Sequence, residues 1–268
     1  MAGRSEGEPA GSGCPRRETA RPVDIVWVYP DLLSTYGDRG NVIVLGRRAY
    51  LRGLPTRVTE VRAGERLPVD ADIFVLGGGE DRPQRLAAQA LRRDGGLTAA
   101  VARGAAVLGV CAGYQILGCT FVDVEGREVG GAGLLNVWTT RRARRAVGEI
   151  VAEPLDLQTL TGFENHGGVT HVGPDASVLA RVVRGVGNGD GTEGARQGRV
   201  VGTYLHGPAL VRNPAIADML LSWVAGPPVE PQDLTDPWVE RLRQERLLHA
   251  ARTGRRRHRP SFPPRRAG

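Results

Sequence analysis

The stretch Val107-Leu-Gly-Val-Cys-Ala-Gly-Tyr-Gln-Ile-Leu-Gly118 decides the fold. An apolar run of strand length, 105–110, passes without a spacer into Cys111, and a helical stretch follows. The cysteine stands between two glycines as Gly109-x-Cys111-x-Gly113, the arrangement of a nucleophile elbow with sulfur in place of oxygen. A turn that tight leaves no room for side chains on either side, which accounts for the glycines. A helix beginning at the cysteine is expected to lower the thiol pKa, because aligned amide dipoles favour the thiolate. The Ala112 amide is then placed to meet a developing oxyanion. Free cysteines are commonly buried structural residues, but the flanking glycines and the strand–turn–helix context favour catalysis at Cys111. Cys119, in an apolar setting, reads as core, and Cys14 as incidental.

Upstream, residues 24–29, 57–61 and 72–76 read as strands, the last running straight into Gly77-Gly-Gly79; residues 84–93 carry helical spacing. Strands alternating with helices indicate an α/β fold: a doubly wound, mostly parallel sheet flanked by helices. In such a sheet the carboxyl ends of the strands form the active edge. Gly77-Gly-Gly79 lies on that edge beside the elbow, so the bare amides of Gly78 and Gly79 are the candidate second oxyanion donors. Of His166, His171, His206, His249 and His258, only His206 ends a strand (Val200-Val-Gly-Thr-Tyr-Leu-His-Gly-Pro208) that could face Cys111. It is the candidate base.

Beyond Cys119 the pattern shifts to short strand-like pieces at 134–139, 147–151, 177–183 and 199–204. Residues 185–198 are expected to form a flexible hairpin tip. A helix at 214–224 ends at Gly226-Pro-Pro, and a further amphipathic helix is expected at 237–251. This divides the chain into an arm (1–22), a folded domain (23–226), and a linker, short helix and arginine-rich tail (227–268).

The net charge is +7, and every Lys/Arg position is arginine. Without lysine, neither a P-loop nor a Schiff-base site can be built. Three cysteines, an odd number at no zinc-like spacing, argue against a disulfide framework or a metal site. No apolar run spans a bilayer and the N-terminal stretch has no signal-like core, so a cytoplasmic, not transmembrane, protein is expected. The tail arginines could meet nucleic acid or anionic lipid; a solvated tail, with no nucleic acid bound, is the expectation.

Taken together, Gly109-Val-Cys-Ala-Gly-Tyr-Gln115, Tyr204-Leu-His-Gly-Pro208 and Gly77-Gly-Gly79 resemble class I glutamine amidotransferases of the cobyric-acid-synthase-like branch. Tyr36-Gly-Asp-Arg-Gly-Asn41, Gly77-Gly-Gly-Glu-Asp-Arg-Pro-Gln84 and Gly162-Phe-Glu-Asn-His-Gly-Gly168 make the chain most similar to the glutaminase subunits of lipid II isoglutaminyl synthases. The likeness covers about 23–226. It implies that Cys111 attacks the side-chain amide of glutamine and His206 passes protons, with Arg145 holding the substrate. It also implies a heterodimer with a Mur-ligase-like synthetase subunit that receives the ammonia. No cofactor is expected in this subunit; ATP and Mg are expected in the partner, through which lipid II is engaged. The D-glutamate of the peptidoglycan stem peptide would become D-isoglutamine, a step of cell-wall biogenesis that bears on cell shape.

One position departs from the pattern: many class I enzymes carry Glu two residues after the histidine, where Pro208 stands here. The missing orienting acid is expected from the partner, or from Glu164. His166 is read either as lining the site or the ammonia exit, or as structural. Rival readings are cobyrinate amidation, a non-catalytic module on the same fold, and a cysteine hydrolase or peptidase.

Overall fold

The computed structural model describes residues 21–35, 37–227 and 236–256, with side chains through 248. The arm through residue 20 with Cys14, most of the expected linker (228–235), the tail from 257 with His258, and the side chain of His249 lie outside the described residues, as does Tyr36.

The elements in order are β1 (Val23–Val28), α1 (Arg39–Leu51), β2 (Thr56–Val61), β3 (Ile73–Leu76), α2 (Asp81–Asp94), α3 (Gly96–Ala102), β4 (Ala106–Val110), α4 (Ala112–Leu117) and β5 (Thr120–Val122). There follow β6 (Glu128–Gly130), β7 (Val137–Pro154), β8 (Leu160–Val172), β9 (Ser177–Arg184), β10 (Thr192–Gln197), β11 (Val200–Thr203), α5 (Ala209–Arg212), α6 (Pro214–Ala225) and α7 (Pro237–Arg256).

The sheet runs β2-β1-β3-β4-β11-β10-β9-β7-β5-β6, with β8 paired to β7. The heart, β2-β1-β3-β4-β11, is parallel throughout. β3 and β4 are buried at every residue, as strands covered on both faces must be. That is why they read as unbroken apolar runs. From β11 onward the pairings to β10, β9, β7 and β8 are antiparallel.

The second half differs from expectation in length. The short pieces at 134–139 and 147–151 are two ends of one strand, β7, which pairs with the unforeseen β8 in a long hairpin. Arginines at 141–145 hid its continuity. The register breaks between Arg141 and Ala146: Arg141 faces Gly168 and Ala146 faces His166, so residues 142–145 bulge opposite Gly167 alone. The expected tip at 185–198 is shorter, because 192–197 is a strand, β10, hydrogen-bonded on both edges. The final helix extends to residue 256. It is fastened by the buried Arg243, which donates to the carbonyls of Arg212 (2.8 Å) and Thr159 (2.7 Å). No described helix is long and apolar enough to cross a membrane.

Candidate functional site

β4 delivers Cys111 to the carboxyl edge of the sheet. The residue adopts φ 54°, one of two non-glycine residues with positive φ among those described. A left-handed, non-glycine residue costs about 1–3 kcal/mol and persists only where its surroundings fix it. Here the surroundings are its own amide, bonded to the Thr203 carbonyl at 2.8 Å, and the two glycines. A Cβ on Gly109 would lie 2.5 Å from Leu117 Cδ1 and 2.8 Å from the Gly113 carbonyl carbon. A Cβ on Gly113 would lie 2.6 Å from the Leu76 carbonyl oxygen. The elbow is therefore pressed directly onto β3.

His206 arrives from the neighbouring strand. Thr203 pairs with Val110 across the β11–β4 ladder, and three residues later His206 forms an antiparallel bridge with Phe163 of β8. The Cys111 sulfur lies 4.0 Å from the Asn165 carbonyl on that same strand. Phe163 and Asn165 are alternate residues, about 7 Å apart along a strand. The structure thus brings the candidate nucleophile and the candidate base to one edge of the sheet, against one stretch of β8.

Arg145 comes from the β7 bulge. Its guanidinium donates to Asn165 Oδ1 (2.5 Å) and to the Asn165 carbonyl (3.0 Å), the same oxygen that Cys111 Sγ approaches. Gly79, Cys111, Ala112, Gln115, Arg145 and His166 line one cleft of about 70 Å³. Such a space holds about two waters, well below the ~300 Å³ lower end for ligand pockets. It is a narrow site.

Two expectations need correcting. The thiol is not acidified: burial pushes Cys111 up to about 12, and the Asp38 carboxylate adds to this, outweighing the opposing pull of Arg145 and the Ala112 amide. α4 has only six residues, too few for its dipole to offset the loss of water. Burial likewise lowers His206 to about 4, aided by His166 and Arg145. The resting pair is a neutral thiol and a neutral imidazole. Secondly, the Gly78 amide does not face the cleft. It donates to Asp38 Oδ2 at 2.9 Å, which leaves Gly79 and Ala112 as the lining amides.

Glu164 is buried, but its oxygens accept from the amides of Val186 (2.9 and 3.0 Å) and Gly187 (2.9 Å). It lies 3.7 Å from His166 Nε2. Its orienting capacity is spent on the 185–187 turn. His166 stacks on the Tyr204 ring (centroids 3.7 Å apart), and neither ring nitrogen has a hydrogen-bond partner among the described residues. Pro208 packs its Cγ where a Cβ on Gly40 would be.

Nothing in the sequence alone assigns a role to Gln84 or Gln115. Gln84 Nε2 donates to Gln115 Oε1 (2.7 Å) and Gln115 Nε2 to the Tyr204 hydroxyl (3.0 Å), forming a polar wall of the cleft. Both fall within motif segments already singled out; what the segments did not reveal was that they meet. No group of three or more His, Cys, Asp or Glu among the described residues could hold a metal ion.

Residues 24–214 match the CobB/CobQ-like glutamine amidotransferase domain. The chain belongs to that family. A lipid II isoglutaminyl synthase (glutamine-hydrolyzing) subunit GatD of Staphylococcus aureus is 39% identical over 211 residues, 76% of this chain and 86% of that one. A cobyric acid synthase of Rhizobium leguminosarum is 41% identical over 156 residues, 55% of this chain but 31% of that one. A crystal structure of a glutamine amidotransferase superposes with TM-score 0.54 at 24% identity, covering 74% of this amidotransferase and 98% of the other. The shared fold is the mixed α/β sheet described above.

Proposed function

We propose that this amidotransferase is the glutaminase subunit of a lipid II isoglutaminyl synthase. The observation that carries the reading is the juxtaposition at β8: a conformationally fixed Cys111 sulfur and the Arg145 guanidinium share the Asn165 carbonyl, with His206 bridged two residues away. The GatD relatives favour this acceptor over cobyrinate. The match spans 86% of the S. aureus subunit, against 31% of the longer cobyric acid synthase.

In the proposed reaction His206 takes the Cys111 proton as sulfur bonds to the δ-carbon of glutamine. The negative oxygen is met by the Gly79 and Ala112 amides. Collapse of the adduct breaks the C–N bond, His206 returns the proton to the departing nitrogen, and ammonia and a thioester result. Water, deprotonated by His206, then releases glutamate and the thiol. Arg145 holds the substrate carboxylate in a two-point contact. Ammonia passes to a Mur-ligase-like partner in a heterodimer, which uses ATP and Mg to activate the D-glutamate carboxylate of the stem peptide. Consumption of ATP puts the assembly in the cytoplasm. With Pro208 two residues after His206 and Glu164 committed to backbone amides, a partner carboxylate is the acid that orients the imidazole.

The experiment is glutamine hydrolysis and lipid II amidation by the chain alone and with its partner. The reading expects slow hydrolysis alone, faster hydrolysis in the complex, and amidation only there. Full activity in isolation eliminates the acid supplied in trans; no hydrolysis in either setting eliminates the glutaminase.

A further inference from the structure

Asp38 occupies the N-cap position of α1, yet its side chain makes no capping hydrogen bond to that helix. Aspartate at an N-cap ordinarily accepts from the first-turn amides. This one, 1% exposed, accepts instead from the Gly78 amide forty residues away, at 2.9 Å. It is also wedged against the loop it holds: a Cβ on Gly77 would lie 2.7 Å from both Asp38 Cβ and Cγ. On the other side of the same residue, the Gly78 carbonyl accepts from the Thr35 amide at 3.3 Å.

These two bonds fix Gly78 from both ends, and the planarity of the next peptide does the rest. In a trans peptide the C=O and the following N–H point in opposite directions. With the Gly78 carbonyl turned toward Thr35, the Gly79 N–H must turn away from it. Gly79 lines the cleft together with Cys111 and Ala112.

We propose that Asp38 is a positioning residue for the oxyanion hole: by clamping Gly78 it aims the Gly79 amide at the carbonyl oxygen that Cys111 attacks. This rests on the glutaminase reading. Asp38 acts through Gly78, whose amide it holds. Its carboxylate also acts on the sulfur at a distance, so the clamp has a cost. The charged groups facing Cys111 are Asp38 and Glu80, which oppose the thiolate, and Arg145, which favours it. His206 stands at the same edge as a neutral ring, and His166 lines the cleft.

The clamp and the charge separate in two variants of the full chain. Asp38→Asn keeps an oxygen acceptor for Gly78 and removes the charge; Asp38→Ala removes both. Two reagents read them. A chloroketone analogue of glutamine places its ketone oxygen among the oxyanion donors while sulfur displaces chloride. Iodoacetamide alkylates the thiolate by direct displacement of iodide and needs no oxyanion hole. Losing one oxyanion donor costs about 10²–10³ in rate. The expected result is that Asp38→Ala reacts with the chloroketone about 10²-fold more slowly relative to iodoacetamide, whereas Asp38→Asn keeps the wild-type ratio. Both variants alkylate with iodoacetamide at lower pH than wild type.

If the ratio in Asp38→Ala equals that of wild type, the clamp is wrong. If Asp38→Ala does not fold, Asp38→Ser, whose hydroxyl is too short to reach the Gly78 amide, decides in its place: a wild-type ratio overturns the proposal and a ratio lowered as expected for Asp38→Ala supports it. A wild-type chain that neither hydrolyses glutamine nor accepts the chloroketone at Cys111 sinks the glutaminase reading itself, and the clamp with it.

Discussion

Gly113→Ala tests the elbow most directly. Its Cβ would lie 2.6 Å from the Leu76 carbonyl oxygen, 2.8 Å from Leu76 Cβ and 3.0 Å from the Leu76 carbonyl carbon. Leu76 is wholly buried and ends β3, a strand held between β1 and β4, so none of the three obstacles is a flexible side-chain tip. Relief to an ordinary contact needs a displacement of about 0.8 Å. Either α4 lifts off or the Gly77–Gly79 loop gives way, and either movement parts Cys111 from Gly79. Overpacking of this kind costs about 1–3 kcal/mol. Stretching the Gly113 amide from the Gly77 carbonyl, now 3.1 Å away, adds about 1 kcal/mol. The sum predicts a fall in Tm of about 5–15 °C. Because a misplacement near 1 Å costs about 10²-fold in rate, labelling of Cys111 by a glutamine chloroketone should slow by about that factor. Gly46→Ala is the control: inside α1, its Cβ meets nothing nearer than Thr56 Oγ1 at 3.8 Å. That change should stabilise by about 0.5–1 kcal/mol. Thermal unfolding and labelling rates on the three chains decide the matter. A Gly113→Ala protein as stable and as reactive as wild type would refute the elbow as drawn.

Three further outcomes follow from the same geometry. With its thiol pushed up to about 12, Cys111 in the isolated chain should react with iodoacetamide at pH 7.5 about a thousand times more slowly than an ordinary cysteine, its rate still climbing at pH 10; a plateau below pH 8 contradicts this. Arg145→Ala removes a charge-assisted contact worth about 1.5–3 kcal/mol, so glutamine should bind some 10- to 150-fold more weakly in the complex. A change confined to kcat with KM intact would place Arg145 elsewhere in the reaction. Glu193, raised to about 7 chiefly by burial, keeps its proton in the folded state where the unfolded chain has released it. Its contribution to stability is therefore present below about pH 4.5 and lost as pH rises to about 7, a change of order 3 kcal/mol. Glu193→Gln retains an oxygen for the Thr203 hydroxyl and the Tyr204 amide and should flatten that slope in urea titrations across pH 4.5–7.5. An unchanged slope removes Glu193 as its source.

The parallel heart was legible because strands buried on both faces must be apolar at every position, and Ile73–Leu76 and Ala106–Val110 are. The elbow was legible for a related reason: close packing demands glycine, and glycine is visible. The β7–β8 hairpin was not, since its exposed positions carry Arg141, Arg144 and Arg145 and its partner strand contains Glu164, Asn165 and His166. α1 was hidden by Gly40 and Gly46, one of them required by the approach of Pro208. The site divides the same way. Cys111, Gly79, Ala112 and Arg145 line one cleft, whereas His206, reached through its bridge to Phe163, is not among the lining residues. Gly78 does not line it either, because the direction of its amide is set by Asp38, a tertiary contact that local sequence does not encode. The sign of the thiol shift was misjudged for the same cause. A dipole can be read from a helix start; the depth of burial that overrides it cannot.

These features bear on why position 208 is a proline. An acid there would orient and charge His206 within the chain itself. The structure instead packs Pro208 onto Gly40, and Asn41 beside it accepts the Leu210 amide at 3.0 Å. The same short segment, through Asp38, holds Gly78. The start of α1 thus bears on both the oxyanion side and the histidine side of the site, and it supplies a carboxylate only where that carboxylate disfavours the thiolate. Burial disfavours the imidazolium as well. On the reading proposed here, an isolated subunit with a neutral thiol in a cleft of about 70 Å³ and a neutral imidazole behind it wastes little glutamine. A carboxylate arriving beside His206 on a partner would stabilise the imidazolium, and through it the thiolate. Chemistry would then be tied to the presence of the subunit that consumes the ammonia.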